Sequence, residues 1–262
     1  MKQQPNFEKE MKVAETAARS AGKILMDMFR KEMSQTRKQG RDFLTDADKA
    51  AEEAIIKTIK QNFPEHAILS EEAGESGNSR YRWVIDPLDG THNFYYGIPI
   101  FGTMIALEVD DDIVLSTIYL PYTNELYKAV RGKGSFCNEK RIYVSKRKNK
   151  FMYLYSGMFN YYRNKKSRKL FQVTALKFSP AVRILGCAAF NWSLLASGSM
   201  DGSIKLNMPF WDMAAGILLF EEAGGKVTDI NGNAWTNKTR DFIVSNGTMH
   251  KELLKISKEL KL

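Results

Sequence analysis

Hydrophobic and polar residues follow two different periods along this chain, and the change of period separates helices from strands. From about residue 7 to residue 30, apolar side chains recur at helical spacing, which predicts a long amphipathic helix. A second helix is predicted from about Asp46 to Phe63, capped by Thr45 and ended by Pro64. Short apolar runs between turn residues predict strands at residues 67–69, 81–85, 101–109, 113–119 and 125–130.

The remainder of the chain continues this alternation of blocks. Further strands are predicted at residues 151–156, 180–185, 226–229 and 242–245, and further helices at residues 188–197, 213–223 and 250–260. Helices and sheets in alternating blocks indicate a layered α/β (α+β) fold, with the middle strands forming an antiparallel meander. We divide it into an N-terminal half, residues 1–140, and a C-terminal half, residues 141–262.

Composition narrows the class of protein. A chain of 262 residues with 44% hydrophobic content can bury a large core, and tracts of low complexity are absent. No apolar run reaches the roughly 20 residues of a membrane span, and the first residues lack a secretory apolar segment. The two cysteines, Cys137 and Cys187, do not form a disulfide or zinc pattern. We therefore expect a cytoplasmic protein with no membrane partner.

The net charge of +9 comes largely from the segments 145–150 and 163–169 and from lysines between residues 251 and 261. The favoured interpretation is a set of solvated loops and helix faces. The alternative is a positive field that attracts anions, either a phosphorylated metabolite or nucleic acid. Charge alone does not separate these two.

Acidic residues follow two of the predicted strands. Glu71 and Glu72 follow residues 67–69, and Asp86 follows residues 81–85, with Asp89 three positions later. Clustered carboxylates repel one another unless a cation neutralises them, and oxygen ligands without His or Cys indicate Mg2+ or Mn2+. The alternative is a solvated acidic loop, and spacing alone does not bring the two strands together.

Gly90 and Thr91 come directly after this acidic segment. If a helix or turn begins there, the amides of Gly90, Thr91 and His92 face outward and suit a phosphate group. Two other aspartates are ambiguous. Asp212 is either a metal ligand or a helix N-cap, and Asp48 lies in the first turn of the second helix, where an acid already suits the helix dipole.

These residues lie in segments that resemble the inositol monophosphatase family, part of the lithium-sensitive Mg2+-dependent phosphatase superfamily. Residues 83–94 (WVIDPLDGTHNF) and 211–225 (WDMAAGILLFEEAGG) resemble its two signature motifs. Weaker matches occur at residues 42–48, 68–72 and 132–138. The resemblance implies a layered αβαβα sandwich of the inositol monophosphatase / fructose-1,6-bisphosphatase type, with the active site between its halves and a homodimer as the usual assembly.

The resemblance also implies roles for individual residues. The implied ligands of two to three Mg2+ ions, with Mn2+ as a substitute, are Glu71, Asp86, Leu88 through its carbonyl, Asp89 and Asp212. Thr91 and Asp48 correspond to the pair that orients and deprotonates the attacking water, together with Glu71 as the third catalytic residue. The residues implied on the phosphate and substrate side are Asp89, Gly90, Thr91, His92, Gly186, Cys187, Ala188 and Lys205.

Lys205 departs from the family pattern. Members that hydrolyse inositol phosphates place a glutamate seven residues before the aspartate of the second motif, and here that position holds Lys205. A lysine cannot accept a hydrogen bond from a substrate hydroxyl but can pair with an anion. We therefore hypothesise a substrate with a second negative group; the alternative is a solvent-facing strand lysine.

The sequence thus predicts a phosphoric monoester hydrolase that acts on a small phosphorylated metabolite by a metal-activated water. Inositol monophosphate and the 2′-phosphate of NADP(H) are the first candidate substrates, and fructose 1,6-bisphosphate and 3′-phosphoadenosine 5′-phosphate are the alternatives. A nucleic-acid-binding protein that uses the aromatic and basic residues 159–168 is the competing class. It gives no reason for the carboxylates, so we expect no nucleic-acid partner.

Overall fold

We describe a computed structural model of the chain, for residues 6–32, 34–37, 43–148, 153–154, 165–178 and 181–262. The helices in these ranges are α1 (Glu8–Met28), α2 (Asp46–Asn62), α3 (Thr91–Tyr95), α4 (Lys165–Phe178), α5 (Ala188–Ala196), α6 (Ala214–Glu222) and α7 (His250–Leu260). The two long N-terminal helices are confirmed, and the three helices predicted after residue 187 are confirmed to within a residue or two.

Three sheets accompany the helices. A small hairpin pairs β1 (Gln35–Arg37) with β2 (Phe43–Thr45). The strands of the eight-stranded sheet are β3 (Ala67–Ser70), β4 (Gly74–Ser76), β5 (Tyr81–Asp89), β6 (Gly102–Val109), β7 (Asp112–Leu120), β8 (Glu125–Val130), β9 (Gly134–Cys137) and β10 (Lys140–Ile142). The strands of the five-stranded sheet are β11 (Tyr153–Leu154), β12 (Val182–Arg183), β13 (Gly202–Lys205), β14 (Lys226–Asp229) and β15 (Phe242–Ser245).

The layers stack as helices, sheet, helices, sheet, helices. α1 and α2 pack on one face of the eight-stranded sheet, and α5 and α6 pack on its other face. α6 also contacts β14, while α7 and α4 cover the outer side of the five-stranded sheet. This arrangement confirms the predicted αβαβα sandwich. β10 continues the first sheet beyond residue 140, and the division of the chain at that residue stays a prediction.

The antiparallel meander is confirmed, because β5 to β10 pair in consecutive order. The strand predicted to end at Ile85 instead continues to Asp89, with a bulge between Asp86 and Asp89. Pro87 has no N–H to donate to the ladder, so an irregularity is expected there. Thr103 compensates by donating its buried hydroxyl to the carbonyl of Pro87 at 3.0 Å.

Several elements differ from the sequence prediction. α4 was not predicted, because its first turns are basic and its apolar positions are sparse. The strand predicted at 180–185 is shorter in the structure: only Val182–Arg183 (β12) is strand among the described residues 181–185, and residue 180 lies outside the described residues. Of the strand predicted at 151–156, only residues 153–154 are described, and they form β11. No helix in the described ranges combines the length and apolar character that crossing a bilayer requires.

Candidate active site

Two parallel strands bring Glu71 and Asp86 together. β3 and β5 pair with Ser70 opposite Ile85, and the amide of Glu71 donates to the carbonyl of Ile85 at 3.2 Å. The residues after this pair, Glu71 and Asp86, therefore emerge at the same level of the sheet. The sequence spacing could not establish this neighbourhood, since it requires the α2–β3–β5 topology.

Asp86 lies at the centre of an acidic cluster. Its side chain is 1% exposed, and its Oδ1 atom has no hydrogen-bond partner. Burial raises the pKa of Asp86 well above its usual value, and the surrounding negative charges raise it further. Those charges, in decreasing effect, are on Glu71, Asp89, Asp212 and Asp48. Four other predicted site carboxylates therefore act electrostatically on this buried side chain.

This donor set fits a hard divalent cation in its chemistry. Buried polar atoms are normally satisfied, and the free Oδ1 of Asp86 together with its repelling neighbours supplies both an open ligand atom and a need for positive charge. The cluster does not form a complete coordination shell. Within the described ranges, no three His, Cys, Asp or Glu side chains are drawn together closely enough to enclose an ion. The ligand roles implied by the family resemblance remain predictions.

Asp48 and Thr91 form the pair that the resemblance implies. The Thr91 hydroxyl lies 3.1 Å from Oδ1 of Asp48 and 3.0 Å from the carbonyl oxygen of Leu88, and can donate to either. The other oxygen of Asp48 accepts from the amide of Thr45 at 2.8 Å and from its hydroxyl at 2.5 Å. Asp48 thus serves as part of the α2 cap and as an acceptor for Thr91. A hydroxyl held this way presents its lone pair to a water molecule.

Gly90 makes the turn between β5 and α3. Its φ is +87°, and a Cβ at this position would lie 2.8 Å from the carbonyl oxygen of Ile100. Only glycine fits such a conformation without strain. α3 begins at Thr91 and includes His92, so the helix start that the phosphate prediction required is present.

Asp89 is tied to the C-terminal half. Its Oδ2 atom accepts from Sγ of Cys187 at 2.8 Å and from the amide of Ala189 at 2.5 Å. Burial raises the pKa of Asp89, while Cys187, the amides of Ala189 and Ala188, and the charge of Lys205 oppose that rise. Cys187 is 3% exposed. The predicted leaving-group loop, Gly186 to Ala188, thus meets the cluster through Asp89.

Two alternatives from the sequence are wrong. Asp212 is not the N-cap of α6, because that helix begins at Ala214 with Met213 as its cap residue. Lys205 is not solvent-facing: its side chain is completely buried, and its ammonium lies 4.6 Å from the centre of the Trp192 ring. Its nearby anions, Asp212 and Asp89, belong to the protein.

Sequence reasoning missed Glu52, which supports the turn that carries Glu71. The buried Oε1 atom of Glu52 accepts from the Ser70 hydroxyl, from the amide of Glu72 at 3.2 Å and from the amide of Ala73 at 2.9 Å. The available signal was an acidic residue on the apolar face of α2, between Ala51 and Ile55. A charged residue on a core-facing stripe is expected to have a specific partner.

Two further missed residues join the halves. Asn93 donates to the carbonyls of Ile100 at 2.9 Å and Leu185 at 2.8 Å. Glu222, in the second motif, accepts from the amides of Gly132 and Gly134, both at 2.8 Å. Glu222 therefore joins the second motif to the turn at residues 132–134, a contact that neither segment of the sequence reveals alone.

Comparison with known proteins supports the fold described above and identifies the family. The family model "Inositol monophosphatase family" matches residues 6–262, and the chain belongs to that family. Its members are metal-dependent phosphatases.

Individual relatives cover nearly the whole chain. The fructose-1,6-bisphosphatase/inositol-1-monophosphatase of Aquifex aeolicus is 33% identical, over 97% of this chain and 97% of its own. The Nus factor SuhB of Haemophilus influenzae is 36% identical, over 93% of this chain and 94% of its own. The solved structure of an IMPase from Thermotoga maritima superposes with a TM-score of 0.88 at 30% identity, covering 97% of this chain and 98% of that one.

Proposed function

We propose that the chain is a Mg2+-dependent phosphomonoesterase that hydrolyses a small phosphorylated metabolite by attack of water. The single observation that carries this proposal is the buried Asp86, whose Oδ1 has no hydrogen-bond partner and whose pKa is raised by burial and by the charges of four other carboxylates. The proposed metal ligands are Glu71, Asp86, the Leu88 carbonyl, Asp89 and Asp212. A bound Mg2+ would supply Lewis-acid stabilisation of developing negative charge and a water of lowered pKa.

The chain's own residues supply the remaining functions. Asp48 accepts the hydrogen bond of Thr91, so the threonine oxygen is oriented to receive a proton from water and Asp48 to take the threonine proton. The first amides of α3, at Thr91 and His92, lie at the N-terminus of the helix, a position that suits a phosphate oxygen. Gly90 makes the turn that precedes these amides, because its positive φ and the nearby Ile100 carbonyl leave no room for a Cβ.

The names of the relatives limit the range of candidate substrates more than the geometry of the site does. One relative is named for both fructose 1,6-bisphosphate and inositol 1-phosphate, and an inositol-1-monophosphatase of Mesorhizobium japonicum is 37% identical over 83% of this chain. We propose inositol monophosphate as the first candidate and keep NADP(H), fructose 1,6-bisphosphate and 3′-phosphoadenosine 5′-phosphate. We also propose a homodimer in the cytoplasm and no nucleic-acid partner.

The test is phosphate release from these four substrates with millimolar Mg2+ or with a chelator. We expect Mg2+-dependent turnover of at least one substrate. The variant Asp86→Asn should lower kcat/KM by at least about 100-fold, which corresponds to about 3 kcal/mol of transition-state stabilisation. Asp110→Asn is the matched control, because Asp110 is an exposed aspartate paired with Arg80. Activity that resists the chelator, or that survives in Asp86→Asn, would refute the assignment.

A further inference from the structure

Lys205 is a buried cation beside the acidic cluster. It is the last residue of β13, which pairs with β15 inside the five-stranded sheet, opposite Phe242. Its side chain has no solvent exposure. A buried ammonium is costly unless anions compensate it, so a lysine in this place requires nearby negative charge.

Trp192 connects this ammonium with Asp212. The Lys205 Nζ atom lies over the indole ring at 4.6 Å from its centre, in cation–π geometry. The indole N–H of the same Trp192 donates to the backbone carbonyl of Asp212 at 2.8 Å. One side chain therefore contacts both the cation and the segment that carries the second-motif aspartate.

The charges of Asp212 and Asp89 favour the protonated form of Lys205. Burial lowers the pKa of Lys205 to about 8, and these two carboxylates oppose that effect. The relation is mutual for Asp89, because the charge of Lys205 opposes the rise in the Asp89 pKa caused by burial. Lys205 thus compensates two of the carboxylates that crowd Asp86.

We propose that Lys205 is a counter-cation for Asp89 and Asp212, and that its charge lowers the affinity for the second divalent ion, which these two carboxylates would bind. The inference rests on the proposed function, since Asp89 and Asp212 are metal ligands only under it. A fixed positive charge has two opposite effects at such a site. It stabilises the carboxylates when no metal is bound, and it repels a divalent cation that approaches the same oxygens.

The repulsion is large enough to measure. Protein sites behave with an effective dielectric constant of about 20. At that value, repulsion between a unit positive charge and a divalent ion several ångströms away lowers the binding constant of the ion by more than about tenfold. The chain should consequently bind one divalent ion more tightly than the next. Removal of the Lys205 charge should reduce that difference.

The experiment uses Mn2+ as the probe and measures free Mn2+ by electron paramagnetic resonance as the full-length protein is titrated. The variant Lys205→Met keeps an unbranched apolar stem that packs against Trp192 but removes the charge. We expect its weaker class of Mn2+ sites to tighten at least about tenfold. Lys128→Met is the matched control, because Lys128 pairs with Glu15 and Glu139 outside the cluster, and its Mn2+ affinity should equal that of the wild type.

Thermal unfolding gives a second readout that does not depend on turnover. Without metal, Lys205→Met should melt at a lower temperature than the wild type, because Asp89 and Asp212 lose their counter-charge. Saturating Mn2+ should raise its melting temperature by more than it raises that of the wild type. If Lys205→Met does not fold, Lys205→Gln replaces it in both measurements.

The possible failures are distinguishable. If the wild type binds Mn2+ and the variant binds it no more tightly, the counter-cation inference is overturned and the proposed phosphatase is untouched. If neither protein binds Mn2+, both the inference and the metal-dependent function are overturned.

Discussion

Removal of the Glu52 side chain should destabilise the turn that carries Glu71 while leaving the rest of α2 intact. In Glu52→Ala the Ser70 hydroxyl, which lies in a fully buried residue, and the amides of Glu72 and Ala73 lose their shared acceptor. A hydrogen bond to a charged group contributes about 1.5–3 kcal/mol net, and a buried donor left without a partner adds its desolvation cost.

The three contacts cannot simply be added, because they share one oxygen and the substitution also removes a buried charge. We therefore expect a loss of about 3 kcal/mol in the free energy of unfolding, well outside the ±0.5 kcal/mol typical of surface changes. Glu52→Gln keeps an acceptor oxygen of similar shape, so its loss should be about 1 kcal/mol. Since Glu71 belongs to the same turn, both variants should also need more divalent ion for half-saturation.

Urea unfolding with linear extrapolation measures the first effect, and Mn2+ titration measures the second. Glu53→Ala is the control, because Glu53 is the neighbouring glutamate on the exposed face of the same helix. If Glu52→Ala and Glu53→Ala unfold at the same urea concentration, or if Glu52→Ala binds Mn2+ as the wild type does, Glu52 does not support the turn as described.

Two other contacts give quantitative expectations. His250 is 2% exposed, contacts Thr228 at 3.0 Å and Ser245 at 2.9 Å, and has its pKa lowered to about 4 by burial. The unfolded chain then binds a proton near pH 6.5 and the native state does not, so stability should fall as pH drops from 6.5 towards 4, by up to about 2 kcal/mol at pH 5. The urea midpoints at pH 7 and pH 5 should differ less in His250→Gln than in the wild type. An equal difference in the two proteins would contradict this account. Glu222→Ala removes the acceptor of two loop amides and should cost about 2 kcal/mol in urea unfolding, whereas a change under 0.5 kcal/mol would show that this contact between the halves is not stabilising.

Local patterns were sufficient for elements whose burial is regular. α1 and α2 each bury one stripe against the eight-stranded sheet, so their helical period is visible in the sequence. The meander strands are bounded by turn residues and pair with their neighbours along the chain. α4 differs because its opening turn is dominated by charged residues, and only Ser167, Leu170, Thr174 and Phe178 are buried.

The positions that the sequence could not place are those whose environment comes from distant segments. Asp86 was expected at a strand end, but β5 continues past it and pairs with β6 as far as Asp89, with a register shift between the two aspartates. Lys205 was ambiguous because its burial depends on Trp192, which lies on a different element. Family motifs identified candidate ligands, yet they could not show that Asp89 is engaged by Cys187 and the start of α5.

These contacts also explain why the acidic cluster depends on both sheets. Asp86 and Asp89 come from β5, whereas Asp212 precedes α6 and Lys205 ends β13. Asp89 binds the first turn of α5, and Glu222 at the end of α6 binds the turn between β8 and β9. A shift of α5 or α6 against the eight-stranded sheet would therefore move Asp89 and Asp212 relative to Asp86. Charge balance in the cluster and packing between the layers are thus linked through Asp89, which belongs to the cluster and also accepts the hydrogen bond from α5.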